Sequence, residues 1–215
     1  HDPFLLPDME AAVVRLANAV QDGEKIGVFG DFDTDGLTAT AVLVKALEEL
    51  GATAIPYLPD RTDEGHGLNA LAVGSLRGQG ISLMITVDCG SSDVEEIELA
   101  SSLGIDTIVT DHHVIPAIQP PAIALVNPSR KNSRYPYGEL TGAGLSYKLV
   151  EALWRFLGKE TPEHLMELAA IGTIADVGPL NGENRYLVKK GIESLNRTTN
   201  PGLKALIARA GLKLG

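Results

Sequence analysis

Short apolar runs of strand length alternate with longer segments of helical periodicity from the start of the chain to Asn127, and this alternation restricts the fold more than any other feature. Asp8 to Val20 spaces Met9, Val13, Leu16 and Val20 at helical intervals. Lys25–Gly30 then reads as a strand, a Gly/Asp-rich turn follows, and Leu37 to Leu50 is helical up to a stop at Gly51. Strands at Thr53–Leu58 and Leu83–Val87 alternate with helices at Leu68–Leu76 and Asp93–Ser102, and Thr107–Thr110 and Ile123–Val126 are two further short strands. Such alternation predicts an α/β fold: an open, mainly parallel five-stranded sheet flanked by helices. A polar loop containing Pro128, Pro136 and Gly138 follows. Helical segments then run over Gly144–Leu157, Pro162–Ala175, Arg185–Leu195 and Gly202–Ala210. We expect one domain over 1–215, with a sheet layer over 1–127 and a helical remainder over 128–215 packed across the crevice of the sheet.

Composition narrows the function classes. The longest apolar runs, such as Ile81 to Val87, are far too short to span a bilayer, and His1-Asp2-Pro3-Phe4 lacks the basic start of a signal peptide. A single cysteine fits a reducing compartment, most simply the cytoplasm. The final segment has no clear terminating element, so a piece of a longer protein is expected. The net charge of −10 argues against a general electrostatic grip on nucleic acid. It leaves room for such a partner where carboxylates gather around divalent cations and are neutralised locally.

Ligands collect at the carboxyl ends of strands in an open parallel sheet. In this chain those ends read Asp31-Phe32-Asp33-Thr34-Asp35-Gly36, then Asp88-Cys89-Gly90, then Asp111-His112-His113. Alternating carboxylates repel one another unless a cation sits between them. An EF-hand loop matches at Asp31, Asp33, Asp35 and Gly36 but has Val42 where the bidentate Glu is required, and a strand precedes it. A haloacid-dehalogenase-type phosphatase motif misses its Thr, with Asp35 or Leu37 in that place. A solvated Asp-rich turn remains the plain alternative. Adjacent histidines beside an Asp point to metal or phosphate chemistry, and imidazole with carboxylate suits Mn²⁺ or Mg²⁺ better than a structural zinc site does. Cys89 reads as a small buried filler.

Taken together, Asp31-Phe-Asp33-Thr-Asp35-Gly36, Val87-Asp88-Cys89-Gly90, Asp111-His112-His113 and Gly172-Thr173-Ile174-Ala175-Asp176-Val177 resemble the signature motifs of the DHH phosphoesterase superfamily. The resemblance narrows to its RecJ branch, the single-strand-specific exonucleases. It does so through Tyr57-Leu58-Pro59-Asp60-Arg61, Glu64-Gly65-His66-Gly67-Leu68, Val126-Asn127-Pro128, Leu140-Thr141-Gly142-Ala143-Gly144 and Asn184-Arg185. Two departures stand out: His66 replaces a tyrosine common among relatives, and the family's second domain is absent from this chain.

The resemblance implies a hydrolase, a two-metal phosphodiesterase that is the catalytic core of a 5′-to-3′ single-stranded-DNA exonuclease in DNA repair and recombination. Short oligonucleotides or cyclic dinucleotides are the alternative substrates. It further implies two Mn²⁺ or Mg²⁺ ions on Asp31, Asp33, Asp35, Asp88, His112 and Asp176, with Asp88 bridging and Asp88, His112 and His113 catalytic. Asp111 would orient a histidine from behind. Arg61, His113, Asn127, Gly142 and Gly144 are the implied substrate contacts, Arg61 by clamping a terminal phosphate with its planar fork. Single-strand-binding protein and helicase partners are implied by resemblance alone. Arg130, Lys131 and Arg134, interleaved with Tyr135 and Tyr137, read either as a strand-tracking surface or as a solvated loop.

Overall fold

The computed structural model describes residues 1–213. Five strands, β1 (Lys25–Gly30), β2 (Thr53–Tyr57), β3 (Leu83–Val87), β4 (Asp106–Thr110) and β5 (Ala124–Val126), pair in the order β2-β1-β3-β4-β5. Every pairing is parallel. Helix α1 (Met9–Asp22) precedes the sheet, and α2 (Thr34–Glu49), α3 (Ala70–Gly78) and α4 (Val94–Ser102) supply the crossovers from β1 through β4, as parallel strands require. No helix among the described residues is long and apolar enough to cross a membrane.

Strand alternation sorts the core onto two faces. Ile26, Val28, Leu83, Ile85, Ile108 and Val126 pack with α1, α2 and the long helix α5 (Gly142–Phe156). Phe29, Met84, Val109 and Leu125 pack on the other face with Val73 and Leu76 of α3 and Ile97 of α4. Because α5 shares the first core, the helical half is built onto the sheet and does not form a core of its own. Helix α6 (Met166–Ala175) stacks on α2 and α5, α7 (Gly182–Leu195) packs against α6, and α8 (Pro201–Arg209) follows.

Helix starts differ from the periodicity by a few residues, and the cause is local. Helix α2 begins at Thr34, three residues before the apolar pattern does, because the Asp33 carboxylate accepts the Gly36 N–H at 2.9 Å and caps it. Thr141 caps α5 in the same way through the Gly144 N–H, and Asn69 caps α3 through the Ala72 N–H. The segment beginning at Pro162 divides into a 3₁₀ turn, Glu163–Leu165, and α6.

A buried ion pair ties α5 to α7: Lys148 Nζ lies 3.1 Å from Glu183 Oε1, and the Tyr135 hydroxyl donates to the same carboxylate. Burial alone would raise the Glu183 carboxyl, but Tyr135 and Lys148 hold it below its ordinary range. A depressed carboxyl contributes stability above its unfolded value of about 4.3, and that contribution is lost as pH falls through the folded value. Lys148→Met leaves the carboxylate with the N-terminal ammonium, 3.0 Å from Oε1, and the Tyr135 hydroxyl, and is expected to cost about 2 kcal/mol in denaturant unfolding at pH 7. The difference between variant and parent is expected to shrink as pH falls below the ordinary carboxylate range and Glu183 becomes neutral.

Candidate metal centre

Register decides what meets at the carboxyl edge of the sheet. Gly30 is level with Val87, Val87 with Thr110, and Thr110 with Val126. The next residue of each strand, Asp31, Asp88, Asp111 and Asn127, therefore leaves the edge beside its neighbours, with strands about 4.8 Å apart. Between β1 and β3 the strand order reverses, because β1 connects outward to β2 on one side and β3 returns on the other. Asp31 and Asp88 flank this switch point, where open sheets leave a crevice.

Two further elements close on the same place. The first turn of α2 brings Asp33 and Asp35, and the C-terminal end of α6 brings Asp176. Val177 then turns left-handed at φ 59, with its N–H on Ile174 O and that of Gly178 on Thr173 O, which stops the helix abruptly behind Asp176. Asp31, Asp33 and Asp88 each offer an oxygen within 4.8 Å of one another. So do the ligand atoms of Asp35, His112 and Asp176, and those of Asp88, His112 and His113. Asp88 and His112 each belong to two of these groups, so the clusters are contiguous.

The centre of the cluster has polar atoms without partners. His112 Nε2 stands 3.0 Å from Asp88 Oδ1 and 3.9 Å from Asp35 Oδ2. Yet Nε2 and Oδ1 are both buried and neither has a partner in hydrogen-bond geometry. Burial pushes the Asp88 carboxyl up to about 7, with the charges of Asp35 and Asp33 adding and His112 opposing. Asp35 is raised as well, mainly by burial. Asp88 also holds a left-handed backbone, φ 64, uncommon for a residue with a side chain. Buried, mutually repelling carboxylates beside an unsatisfied imidazole nitrogen are a donor set that a divalent cation would satisfy.

The surrounding backbone holds these groups in place. The N-terminus of α5 points at Asp35: the Gly142 N–H donates to Oδ2 at 2.6 Å and the Ala143 N–H to Oδ1 at 2.9 Å. Gly142 has no room for a side chain, since a Cβ there would lie 2.5 Å from the Asp88 Cβ. Asp111 is buried behind the histidines. Its Oδ1 accepts His113 Nδ1–H at 2.8 Å and its Oδ2 the Ser91 N–H at 2.9 Å. Burial would raise Asp111, but these donors bring it to about 2. Asp111 in turn raises His113 to about 9, against the effect of burial, so the exposed His113 ring is cationic at neutral pH.

Three of the expected substrate contacts have another position. Asn127 is fully buried, with Nδ2 on His113 O at 2.9 Å and on Ser91 Oγ at 3.3 Å, and Oδ1 on the Ser129 N–H. It has no surface to offer a strand and instead holds the loop that carries His113. Gly142 and Gly144 are buried in α5, the first against Asp88 and the second facing Leu187 and Leu140. Arg61 does reach solvent, with its guanidinium 5.3 Å above the Phe32 ring. The stacking surface imagined over 130–137 loses Arg130, which pairs with Asp8 and Leu125 O, and Tyr135, which is buried against Glu183. Burial pushes the Cys89 thiol up and leaves it packed in the second core.

Several supports are invisible in the amino-acid order: His66 on Asp31, Ser91 on Asp111, and the α5 amides on Asp35. The last two rely on backbone N–H groups, which every residue carries, so only the strand register could have pointed to them.

Residues 25–173 match the family described as "DHH family, N-terminal domain". The whole chain aligns at 44% identity with the single-stranded-DNA-specific exonuclease RecJ of Bacillus subtilis, of which it spans 27%. A crystal structure of exonuclease RecJ bound to manganese superposes with a TM-score of 0.89 at 38% identity, covering 96% of this chain and 52% of that one. The Mn²⁺ complex of RecJ from Thermus thermophilus superposes at 0.84 with 36% identity, over 97% of this chain and 30% of that one. The chain thus corresponds to about a quarter to a half of the proteins it resembles. With the motif residues gathered at one strand edge and a family match over most of its length, the chain belongs to the DHH family.

Proposed function

We propose that the chain is the catalytic core of a Mn²⁺- or Mg²⁺-dependent phosphodiesterase that removes nucleotides from single-stranded DNA in the 5′-to-3′ direction. The observation that carries this reading is the pair of contiguous ligand clusters joined at Asp88 and His112, with Nε2 and Oδ1 facing each other unsatisfied. The relatives named as single-stranded-DNA-specific exonucleases supply the substrate class, and polarity is carried over from the family resemblance.

Asp31, Asp33 and Asp88 would hold one ion, and Asp35, His112 and Asp176 the other, with Asp88 between them. Bound there, two divalent ions lower the pKa of a water and stabilise the attacking and leaving oxygens of a displacement at phosphorus. The protein's own groups do the rest. Asp111 keeps His113 protonated and fixed, so that its free ring N–H is a cationic donor for a phosphate oxygen. The α5 amides fix Asp35 in one rotamer, and Arg61 presents a planar fork at the rim for a terminal phosphate. We extend the proposal to a cytoplasmic setting in DNA repair and recombination, beside a single-strand-binding protein and a helicase.

The test is hydrolysis by this chain, with Mn²⁺, of a 5′-phosphorylated single strand, the same strand in a duplex, and a dinucleotide. Slow, EDTA-sensitive release of mononucleotides from the single strand is expected, with the duplex left intact. Cleavage confined to the dinucleotide would move the assignment to the short-oligonucleotide branch. No metal-dependent cleavage of any of the three would overturn it.

A further inference from the structure

The loop between β2 and α3 is built to present one exposed imidazole to the acidic cluster. Glu64 pins the loop from within: its Oε2 accepts the Tyr57 hydroxyl at 2.7 Å and Asn69 Nδ2 at 3.0 Å, and its Oε1 accepts the Asp60 N–H at 2.9 Å. The far end is held by Asp93, whose carboxylate accepts the Leu68 N–H at 2.7 Å. Gly65 and Gly67 flank His66 with φ of 75 and 81, left-handed conformations that L side chains seldom adopt. His66 is thereby pushed out of the loop, its side chain 71% exposed, and its Nδ1–H still reaches Asp31 Oδ2 at 2.8 Å. The imidazole lies against Phe32, ring centroids 4.2 Å apart, and Arg61 covers the same ring.

An exposed histidine has no need of such anchoring for its own sake, whereas Asp31 gains a fixed orientation from it. Asp31 Oδ1 accepts the N–H of Phe32 at 2.8 Å, and His66 engages the other oxygen. Each oxygen keeps a further lone pair for a cation. With both ends held, the carboxylate cannot rotate about its Cβ–Cγ bond. We propose that His66 is a positioning residue of the metal centre, holding the Asp31 carboxylate in its ligating orientation and coupling the Arg61 loop to the ion held by Asp31. The proposal rests on the metal-centre reading given above, and neighbouring partners that orient a ligand are typically worth about 10- to 100-fold in metal affinity.

The experiment is calorimetric titration of Mn²⁺ into the whole chain and into two variants, with thermal melting of the metal-free proteins alongside. His66→Ala removes the donor. His66→Asn keeps an N–H at the δ position, where Nδ2 takes the place of Nδ1. For His66→Ala, Mn²⁺ affinity at one of two sites is expected to fall about 10- to 100-fold. The metal-free melting temperature is expected to stay unchanged, since the side chain is largely exposed, and His66→Asn is expected to recover most of the affinity. Equal Mn²⁺ binding by His66→Ala and a two-site parent would overturn the positioning role and leave the metal centre standing. A His66→Asn variant as weak as His66→Ala would equally overturn the hydrogen-bond account. A parent that binds no Mn²⁺ at all would bring down the metal-centre reading and this proposal together.

Discussion

Replacing Asp88 with asparagine is expected to lower Mn²⁺-dependent hydrolysis of single-stranded DNA by about a thousandfold or more, while the protein melts at or above the parent's temperature without metal. The kinetic loss corresponds to about 4 kcal/mol of transition-state stabilisation, within the several kcal/mol that a correctly held divalent ion supplies. Asparagine is chosen over alanine because the residue sits at φ 64, where Asn is tolerated far better than other side chains. The direction of the stability change follows from the site itself. Burial and the charges of Asp35 and Asp33 already push the Asp88 carboxyl up to about 7, so a neutral amide relieves strain that the metal-free protein carries. A variant that melts well below the parent would show that Asp88 supports the fold, and near-parental turnover would refute its place between the ions.

The second large effect is expected from a methyl group. Gly142→Ala adds a Cβ 2.5 Å from both Cβ and Oδ1 of Asp88, closer than van der Waals contact allows, and Asp88 is buried with little room to yield. Displacement of a ligating carboxylate by about 1 Å is enough to lose about a hundredfold in rate. The overpacking is expected to cost about 1–3 kcal/mol of stability, only partly offset by the helix preference of alanine, so the variant melts somewhat below the parent while its activity falls much further. Steady-state kinetics with Mn²⁺ titrations on the variant check this. The expected signature is a raised Mn²⁺ requirement together with a lower kcat, and parental values for both would contradict the close packing.

Much of this architecture is legible from the amino-acid order because its signals are local. Strand-length apolar runs at Lys25–Gly30 and Leu83–Val87 and the acidic or imidazole residues after them are visible without coordinates. What connects them is not. Asp33 reads as part of a turn, yet it also caps α2, because a side chain that closes a helix looks the same in sequence as one that faces solvent. Asn127 is a substrate contact only by the family resemblance. Its burial against His113 O depends on the loop that returns over it. Gly142 and Gly144 raise a similar difficulty: a glycine near a site permits close approach, but whether of a ligand or of Asp88 is decided by the placement of α5. Tyr135 and Arg130 lie in a polar loop, and only the packing of α1 and α7 reveals that both are committed to Glu183 and Asp8.

Carboxylates and an imidazole from separate strand and helix ends are proposed to cage a pair of divalent ions. The anomalous diffraction of a crystal of this protein equilibrated with Mn²⁺ would locate them. Two peaks about 4 Å apart are predicted, one against Asp31, Asp33 and Asp88 and the other against Asp35, His112 and Asp176, with Asp88 touching both. A crevice without manganese, or ions bound only at other carboxylates on the surface, would contradict that arrangement.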